Sequence, residues 1–138
     1  MEVEIGDKKF IVSFSFILNL PFLLLFNPYR KHQKIIIENK EYKMYVVDNL
    51  FSQMIGYRFR SPEDLEENEI MLFKFKKENE YSFWMKNVYF PIKLCSCSFE
   101  LEKLILENCL TLDSNNCKKR KIKGNNILEF PLSTKHNF

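Results

Sequence analysis

The chain has 138 residues, 46% of them hydrophobic and 15% aromatic, which suffices for one domain with a packed core and is too few for two domains of ordinary size. Charged residues make up 28%, which excludes a wholly disordered chain. The formal net charge of +3 is too small to indicate a nucleic-acid-binding protein, and we do not expect nucleic acid as a partner.

The first predicted element is an apolar stretch at residues 10–26, interrupted by a few polar residues and one proline. A membrane helix needs roughly 20 apolar residues, with about 17 as the lower limit, so this stretch just qualifies. No small-residue cleavage pattern follows it, which favours an uncleaved anchor over a signal peptide. The alternative is β structure, with a turn at 5–8 and an alternating strand at 12–16. We assign residues 1–33 to this N-terminal segment and predict a membrane anchor.

From residue 34 onwards the sequence predicts short strands, rich in β-branched and aromatic residues and separated by turn residues. The predicted strands span 34–38, 42–47, 70–75, 81–85, 92–99, 104–112 and 127–130, with a hairpin turn at Asn39–Lys40. Acidic residues at 63–69 and basic residues at 118–123 are expected in two solvated loops.

One short helix is expected after the second of these strands. Asp48 or Asn49 provides an N-cap, and Gly56 is expected to end the helix in a left-handed conformation. The apolar residues between them are Leu50, Phe51, Met54 and Ile55. Seven strands and one helix predict an all-β domain at 34–132, a β-sandwich or a barrel-like sheet, followed by a tail at 133–138.

Several motifs in this domain resemble those of the domain-of-unknown-function 192 family, also called uncharacterised protein family 0127. They are Gly-Tyr-Arg-Phe-Arg at 56–60, Met-Leu-Phe-Lys-Phe at 71–75, Ser-Phe-Trp-Met-Lys-Asn at 82–87 with Pro-Ile at 91–92, and Ile-Leu-Glu-Phe at 127–130. The resemblance implies a small β-sandwich or jelly-roll-like domain, often exported or membrane-tethered, with no established activity.

The chain departs from the family pattern at polar positions. Ser52 or Gln53 stands where the family usually has an arginine, and Lys93 stands where an acidic residue usually follows Pro-Leu. Such changes are expected if a polar site has been remodelled or abandoned. The resemblance places the domain outside the cell, whereas the Lys/Arg bias around the apolar segment favours the cytoplasm by about one charge, so the orientation stays open.

The best candidate binding residues are Trp84, Lys86 and Asn87. On a strand, Trp84 and Lys86 would share one face, where the indole could stack on a flat ligand and the ammonium or amide could fix its polar groups. In the alternative interpretation, Trp84 fills a core or edge groove and Asn87 stabilises a turn.

Two arginines are further candidates for ligand binding. Arg58 and Arg60 would also share a strand face and could clamp an anionic group with their planar guanidinium groups. The alternative is that they pair with the acidic residues at 63–69.

The four cysteines do not indicate a metal site. Cys95 and Cys97 are expected on a buried apolar face, their Cys-x-Cys spacing is unusual for zinc, and no histidine lies nearby. Cys109 and Cys117 flank a hairpin end and could form a disulfide in an oxidising compartment. We expect no metal and no cofactor.

No catalytic motif is evident, and we assign no catalytic residue. The leading hypothesis is a non-enzymatic, membrane-tethered β domain that binds a small ligand or a protein partner around Trp84 and Lys86. One alternative is an enzyme with a polar pocket near Lys86, Asn87 and Lys93. Another is a degenerate family member that serves as a structural or interaction module.

Overall fold

The computed structural model describes residues 2–5, 8–11, 27–101, 103–115 and 118–132. Within these ranges, eight strands form a two-stranded hairpin and one six-stranded mixed sheet, which confirms the all-β prediction. The helical elements are one α-helix, α1, at Leu50–Ile55 and one 3-10 turn at Pro62–Asp64. The strands are β1 Glu2–Ile5, β2 Lys8–Ile11, β3 His32–Ile37, β4 Lys40–Val47, β5 Glu69–Phe83, β6 Ile92–Glu100, β7 Lys103–Leu112 and β8 Arg120–Pro131.

The hairpin lies at the N-terminus of the chain. β1 and β2 pair antiparallel with Ile5 opposite Lys8, the two ends of the predicted turn at 5–8, whereas residues 6 and 7 lie outside the described residues. β2 contains Phe10 and Ile11, the first residues of the predicted anchor, whereas residues 12–26 lie outside the described residues. Within the described ranges, no helix has both the length and the apolar character that a membrane crossing requires.

The six-stranded sheet has the order β3-β4-β5-β8-β6-β7. β4 and β5 are parallel, and the other neighbouring pairs are antiparallel. A parallel pair needs a long crossover connection, and α1 with the residues up to Asn68 provides it. The sheet curls so that its two edge strands, β3 and β7, approach each other.

Apolar side chains cover both faces of the sheet. Since side chains alternate along a strand, odd-numbered residues of β5 face one core and even-numbered residues near its start face the other. The main core includes Tyr45, Val47, Tyr57, Met71, Phe73, Tyr81, Phe83, Ile92, Leu94 and Ile127. The smaller core lies inside the curl and consists of Ile37, Met44, Ile70, Leu72, Cys97, Leu104 and Leu128.

The local helix signals in the sequence are confirmed. Asn49 is the N-cap of α1, and its Oδ1 accepts a hydrogen bond from the Ser52 amide at 2.9 Å. Gly56 ends the helix with φ of +47°, the positive φ that was expected, but its ψ of −125° lies outside the left-handed helical region; glycine adopts this conformation readily. A Cβ atom at this position would lie 3.2 Å from Phe73 Cζ, a tight contact, so the close approach of the helix to β5 also favours glycine.

Two predictions of strand length are wrong. The strands expected at 70–75 and 81–85 are one strand, β5, because the polar residues between them continue the backbone pairing with β8 past an irregularity between Lys74 and Asn79. The loop expected at 118–123 is also mostly strand. Ile122 is buried opposite Tyr81, so the basic side chains of β8 project from a paired strand.

The cysteine pairing differs from the one expected. Cys95 and Cys97 are buried, as predicted, but Cys95 forms a disulfide with Cys109. The two residues lie directly opposite each other on β6 and β7, with their Cα atoms 4.1 Å apart. The predicted partner, Cys117, lies outside the described residues.

Candidate functional site

Trp84 lies directly after β5, at the start of the loop that leads to β6. The prediction that Trp84 and Lys86 share a strand face is wrong, because the strand ends at Phe83 and the chain turns at Lys86 and Asn87. The turn nevertheless brings Lys86 back over the indole. Trp84 is half-buried, so one part of its ring is available at the surface.

Three cationic side chains surround the ring of Trp84. Lys86 Nζ lies 5.3 Å from the ring centroid, Lys119 Nζ 5.4 Å and Arg58 Cζ 5.6 Å. They come from three separate parts of the chain: the loop after β5, the segment before β8 and the turn after α1. Each position suits a cation–π contact.

A cleft opens beside this group of cations, between the end of α1 and the middle of the sheet. It opens to solvent at its mouth, and the space inside its walls is about 80 Å³. Trp84, Arg58 and Lys119 line it together with Glu129, and its apolar walls include Phe73 and Tyr81. Apolar walls with a few convergent polar groups are typical of small-molecule sites.

Glu129 is the one acidic side chain of this cleft lining, and it is only 6% exposed. It lies on β8 between Met71 of β5 and Leu94 of β6, so the sheet register directs it to the face of the main core. Burial raises the pKa of Glu129 to about 8, and the positive charge of Arg58 offsets only part of this effect. The carboxyl group is therefore mostly protonated at neutral pH.

The indole nitrogen of Trp84 is an unused hydrogen-bond donor. Nε1 is buried and has no hydrogen-bond partner among the described residues. A buried donor without a partner costs roughly 1–3 kcal/mol, so most proteins avoid one. Together with the three cations, it makes the site rich in groups that donate hydrogen bonds or attract anions.

Arg60 does not belong to this site. Its guanidinium donates two hydrogen bonds to the carboxylate of Glu69, at 3.0 and 2.8 Å, and one to the Asp64 carbonyl at 2.7 Å. The same guanidinium lies 4.4 Å from the ring centroid of Tyr29. The interpretation of Arg60 as a partner of the acidic residues at 63–69 is thus confirmed.

The two arginines are separated because they do not lie on a strand. Residues 56–59 form a turn after α1, in which Phe59 has a φ of +64°. This backbone directs Arg58 to the cleft and Arg60 to Glu69. Only Arg58 remains a candidate for ligand binding.

Asn87 and Lys93 have other surroundings. Asn87 has a φ of +63°, its carbonyl accepts a hydrogen bond from Phe59 N at 2.8 Å, and its amide donates to Asn115 Oδ1 at 3.2 Å. These backbone contacts fit a turn-stabilising role. Lys93 Nζ lies 5.7 Å from the ring of Phe130 and lines a different groove, so the structure does not bring it together with Lys86.

Two polar residues of the cleft, Lys119 and Glu129, are not among the site residues predicted from the sequence. Glu129 carries a recognisable signal, since it is a charged residue within an otherwise apolar strand, and such residues are seldom buried without a specific role. Lys119 is one of several adjacent basic residues, and nothing local distinguishes it. Its contact with Trp84 depends on the pairing of β8 with β5.

The family resemblance noted in the motifs extends over the whole domain. The model of the DUF192 family, described as Uncharacterized ACR, matches residues 33–132. The chain belongs to the DUF192 family. The match begins at the start of the six-stranded sheet and includes Trp84, Lys86, Lys119 and Glu129.

Two solved structures share the fold of this DUF192 domain. A crystal structure of a protein of unknown function from Novosphingobium aromaticivorans superposes with a TM-score of 0.55 at 16% identity, covering 71% of this chain and 70% of the other. A protein from Sinorhizobium meliloti, proposed to be a transcription regulator, gives a TM-score of 0.52 at 16% identity, with 71% and 77% covered. No curated protein matches the chain.

Proposed function

We propose that this domain is a non-enzymatic binding module for a small anionic ligand, which binds in the cleft beside Trp84. The observation that carries the proposal is the gathering of Arg58, Lys86 and Lys119 around one half-buried indole ring. We call Arg58, Trp84, Lys86 and Lys119 the Trp84 site.

The electrostatics of the Trp84 site favour an anion. All three cationic groups lie within 5.6 Å of the same ring centroid, so they are within about one Debye length, roughly 10 Å at 0.1 M salt, of one another. Like charges at this separation repel each other. An anion at the mouth of the cleft would be attracted by all three.

The shape of the cleft favours a small ligand. Its walls are mainly apolar, and the space inside them is about 80 Å³, which is room for one small group. The flat indole could pack against an apolar part of such a ligand while the cations hold its charge.

The proposal can be tested through Trp84, the single tryptophan of the chain. Sulfate and propionate serve as probes, and the emission of Trp84 is recorded as each is titrated against the full chain. We expect a saturable change in the emission of Trp84. The affinity for the probe should be weaker by about threefold to tenfold in Lys86→Ala or Lys119→Ala, because the contacts of each lysine cation contribute around 1 kcal/mol.

Lys93→Ala is the matched control. Lys93 also lies over an aromatic ring, that of Phe130, but it lines a different groove, so its removal should leave the response of Trp84 unchanged. Equal effects of Lys86→Ala and Lys93→Ala would contradict the proposal. So would an emission that responds to neither probe.

We further propose that residues 10–26 tether the domain to a membrane and that the domain faces an oxidising compartment. The apolar composition of this stretch supports the tether. The Cys95–Cys109 disulfide supports the compartment, because disulfides persist mainly in exported proteins. We expect the full chain to remain in carbonate-washed membranes with its disulfide intact. Release of the chain from the membranes would contradict the tether.

A further inference from the structure

The position of Glu129 is unusual for a carboxyl group. It is almost completely buried, it lies on a central strand of the sheet, and it lines the same cleft as Trp84, Arg58 and Lys119. Its strand neighbours on the two sides are Met71 and Leu94, whose side chains offer it only the weakly accepting sulfur of Met71.

The charged and titratable groups around Glu129 come from several elements. Arg58 lies in the turn after α1, and Tyr57 directly precedes Arg58 in the chain. Tyr29 belongs to the segment before β3, and Lys119 lines the cleft from the segment before β8. Burial raises the pKa of Tyr29 to about 12 and the pKa of Tyr57 well above its ordinary value. Neither tyrosine therefore changes its charge between pH 6 and pH 9.

We propose that the ligand of the Trp84 site is an oxyanion and that one of its oxygens accepts a hydrogen bond from the protonated carboxyl group of Glu129. The proposal rests on the function proposed above and specifies the chemistry of the ligand. The proton stays on Glu129 throughout, so binding involves no covalent step and no transfer of electrons.

The donor set of the cleft favours an oxyanion over a simple halide. Arg58 presents several N–H donors in a planar fork, an arrangement that suits the paired oxygens of a carboxylate, sulfate or phosphate group. The buried Nε1 of Trp84 is a further donor that lacks a partner in the described residues. A protonated Glu129 adds an O–H donor to the lining of the cleft.

Binding should weaken when Glu129 loses its proton. Burial raises the pKa of Glu129 to about 8, so the carboxyl group is mostly protonated at pH 7 and mostly ionised at pH 9. An ionised Glu129 would repel the anion and could no longer donate a hydrogen bond. The expected loss of affinity from pH 7 to pH 9 is about tenfold, and ordinary lysines keep their charge over this range.

The experiment compares the binding of sulfate, propionate and iodide by the full chain at pH 7 and pH 9. None of the three probes titrates in this range, so a change in affinity reports on the protein. We expect sulfate or propionate to bind about ten times more weakly at pH 9. The better of these two probes indicates whether the natural ligand carries a sulfate- or phosphate-like group or a carboxylate, and iodide should bind more weakly than either at pH 7.

Glu129→Gln provides the matched variant, because the amide can donate a hydrogen bond but cannot ionise. In this variant the ratio of the affinities at pH 7 and pH 9 should fall close to one. Calorimetry of the unmodified protein at pH 9, in two buffers that differ in ionisation enthalpy, gives an independent readout. We expect the uptake of nearly one proton for each anion bound.

The outcomes separate the two proposals. Saturable binding with equal affinity at pH 7 and pH 9, without proton uptake, would overturn the role of Glu129 and leave the binding function standing. Iodide binding as tightly as the oxyanions would overturn the ligand class. Failure of all three probes to bind at either pH would overturn the proposed function itself.

Discussion

The guanidinium of Arg60 binds both carboxylate oxygens of Glu69, at 3.0 and 2.8 Å, and the side chain of Glu69 is only 1% exposed. Glu69 also accepts hydrogen bonds from the Glu66 amide at 2.6 Å and from the Tyr57 hydroxyl at 3.3 Å. This network joins the crossover connection to the first residue of β5. It therefore holds in place the turn that carries Arg58 into the Trp84 site.

Removal of Arg60 should strongly destabilise the fold. Arg60→Ala leaves the Glu69 carboxylate buried without its cation, which typically costs about 3–5 kcal/mol. Lys34→Ala is the control, because Lys34 forms a 3.7 Å pair with Glu41 in which both side chains are exposed, and such pairs contribute little. Urea unfolding of the two variants should separate them clearly, and equal midpoints would contradict this account of the network.

Reduction of the Cys95–Cys109 disulfide should also destabilise the domain. The two residues are 14 positions apart, and the chain-entropy estimate for a loop of this size is about 3 kcal/mol. A reductant should lower the free energy of unfolding of the wild-type protein and have little effect on Cys109→Ser. Non-reducing peptide mapping provides the direct check, since recovery of Cys109 joined to Cys117 would refute the pairing.

The stability of the wild-type protein should fall relative to Glu129→Gln as the pH rises from about 5 to about 8. The folded protein holds a proton on Glu129 up to a pKa of about 8, whereas the unfolded chain releases it near the ordinary value of about 4.3. Between these values the native state binds more protons than the unfolded state, so raising the pH favours unfolding by up to about 1.4 kcal/mol per pH unit.

Urea unfolding of the wild type and of Glu129→Gln at several pH values tests this linkage. Below about pH 4 both states are protonated at this residue, and above about pH 8 both are ionised, so the difference between the variants should change only between these limits. Two parallel stability curves across the whole range would show that the carboxyl group is not held in its protonated form.

Local features of the fold could be predicted from the sequence because they depend on a few adjacent residues. The N-cap at Asn49 and the positive φ at Gly56 follow from the preferences of those residue types. The hairpin between β3 and β4 was found for the same reason, although its turn residues with positive φ are Glu38 and Asn39, one position earlier than expected.

The predictions that are wrong depend on pairing between distant strands. The polar residues between Phe75 and Tyr81 resemble a loop, and only the antiparallel partner β8 reveals that the strand continues. The register of β6 against β7, with an irregularity between Cys95 and Cys97, decides that Cys109 faces Cys95. Strand register is set by the whole sheet, and a single sequence does not contain it in readable form.

In the candidate site, too, residues that are close in sequence could be predicted together, and residues from distant strands could not. Trp84 and Lys86 could be selected as a pair because they are close in sequence, and the structure brings them together despite a wrong secondary-structure prediction. Lys119 and Glu129 join them only through the position of β8 beside β5. The fold therefore adds to the site its third cation and its buried acid.

The central claim, that the surface around Trp84 attracts anions, can be tested directly by collisional quenching of the single tryptophan. Iodide and caesium are compared at low salt, with neutral acrylamide as a measure of simple access. Surface potentials of this kind reach several kT, so iodide should quench Trp84 about five times more strongly than caesium after each quenching constant is divided by that for free N-acetyltryptophanamide, and added salt should reduce the difference. Lys86→Ala should reduce it as well, whereas Lys93→Ala should not. Equal quenching by the two ions, or stronger quenching by caesium, would contradict the account.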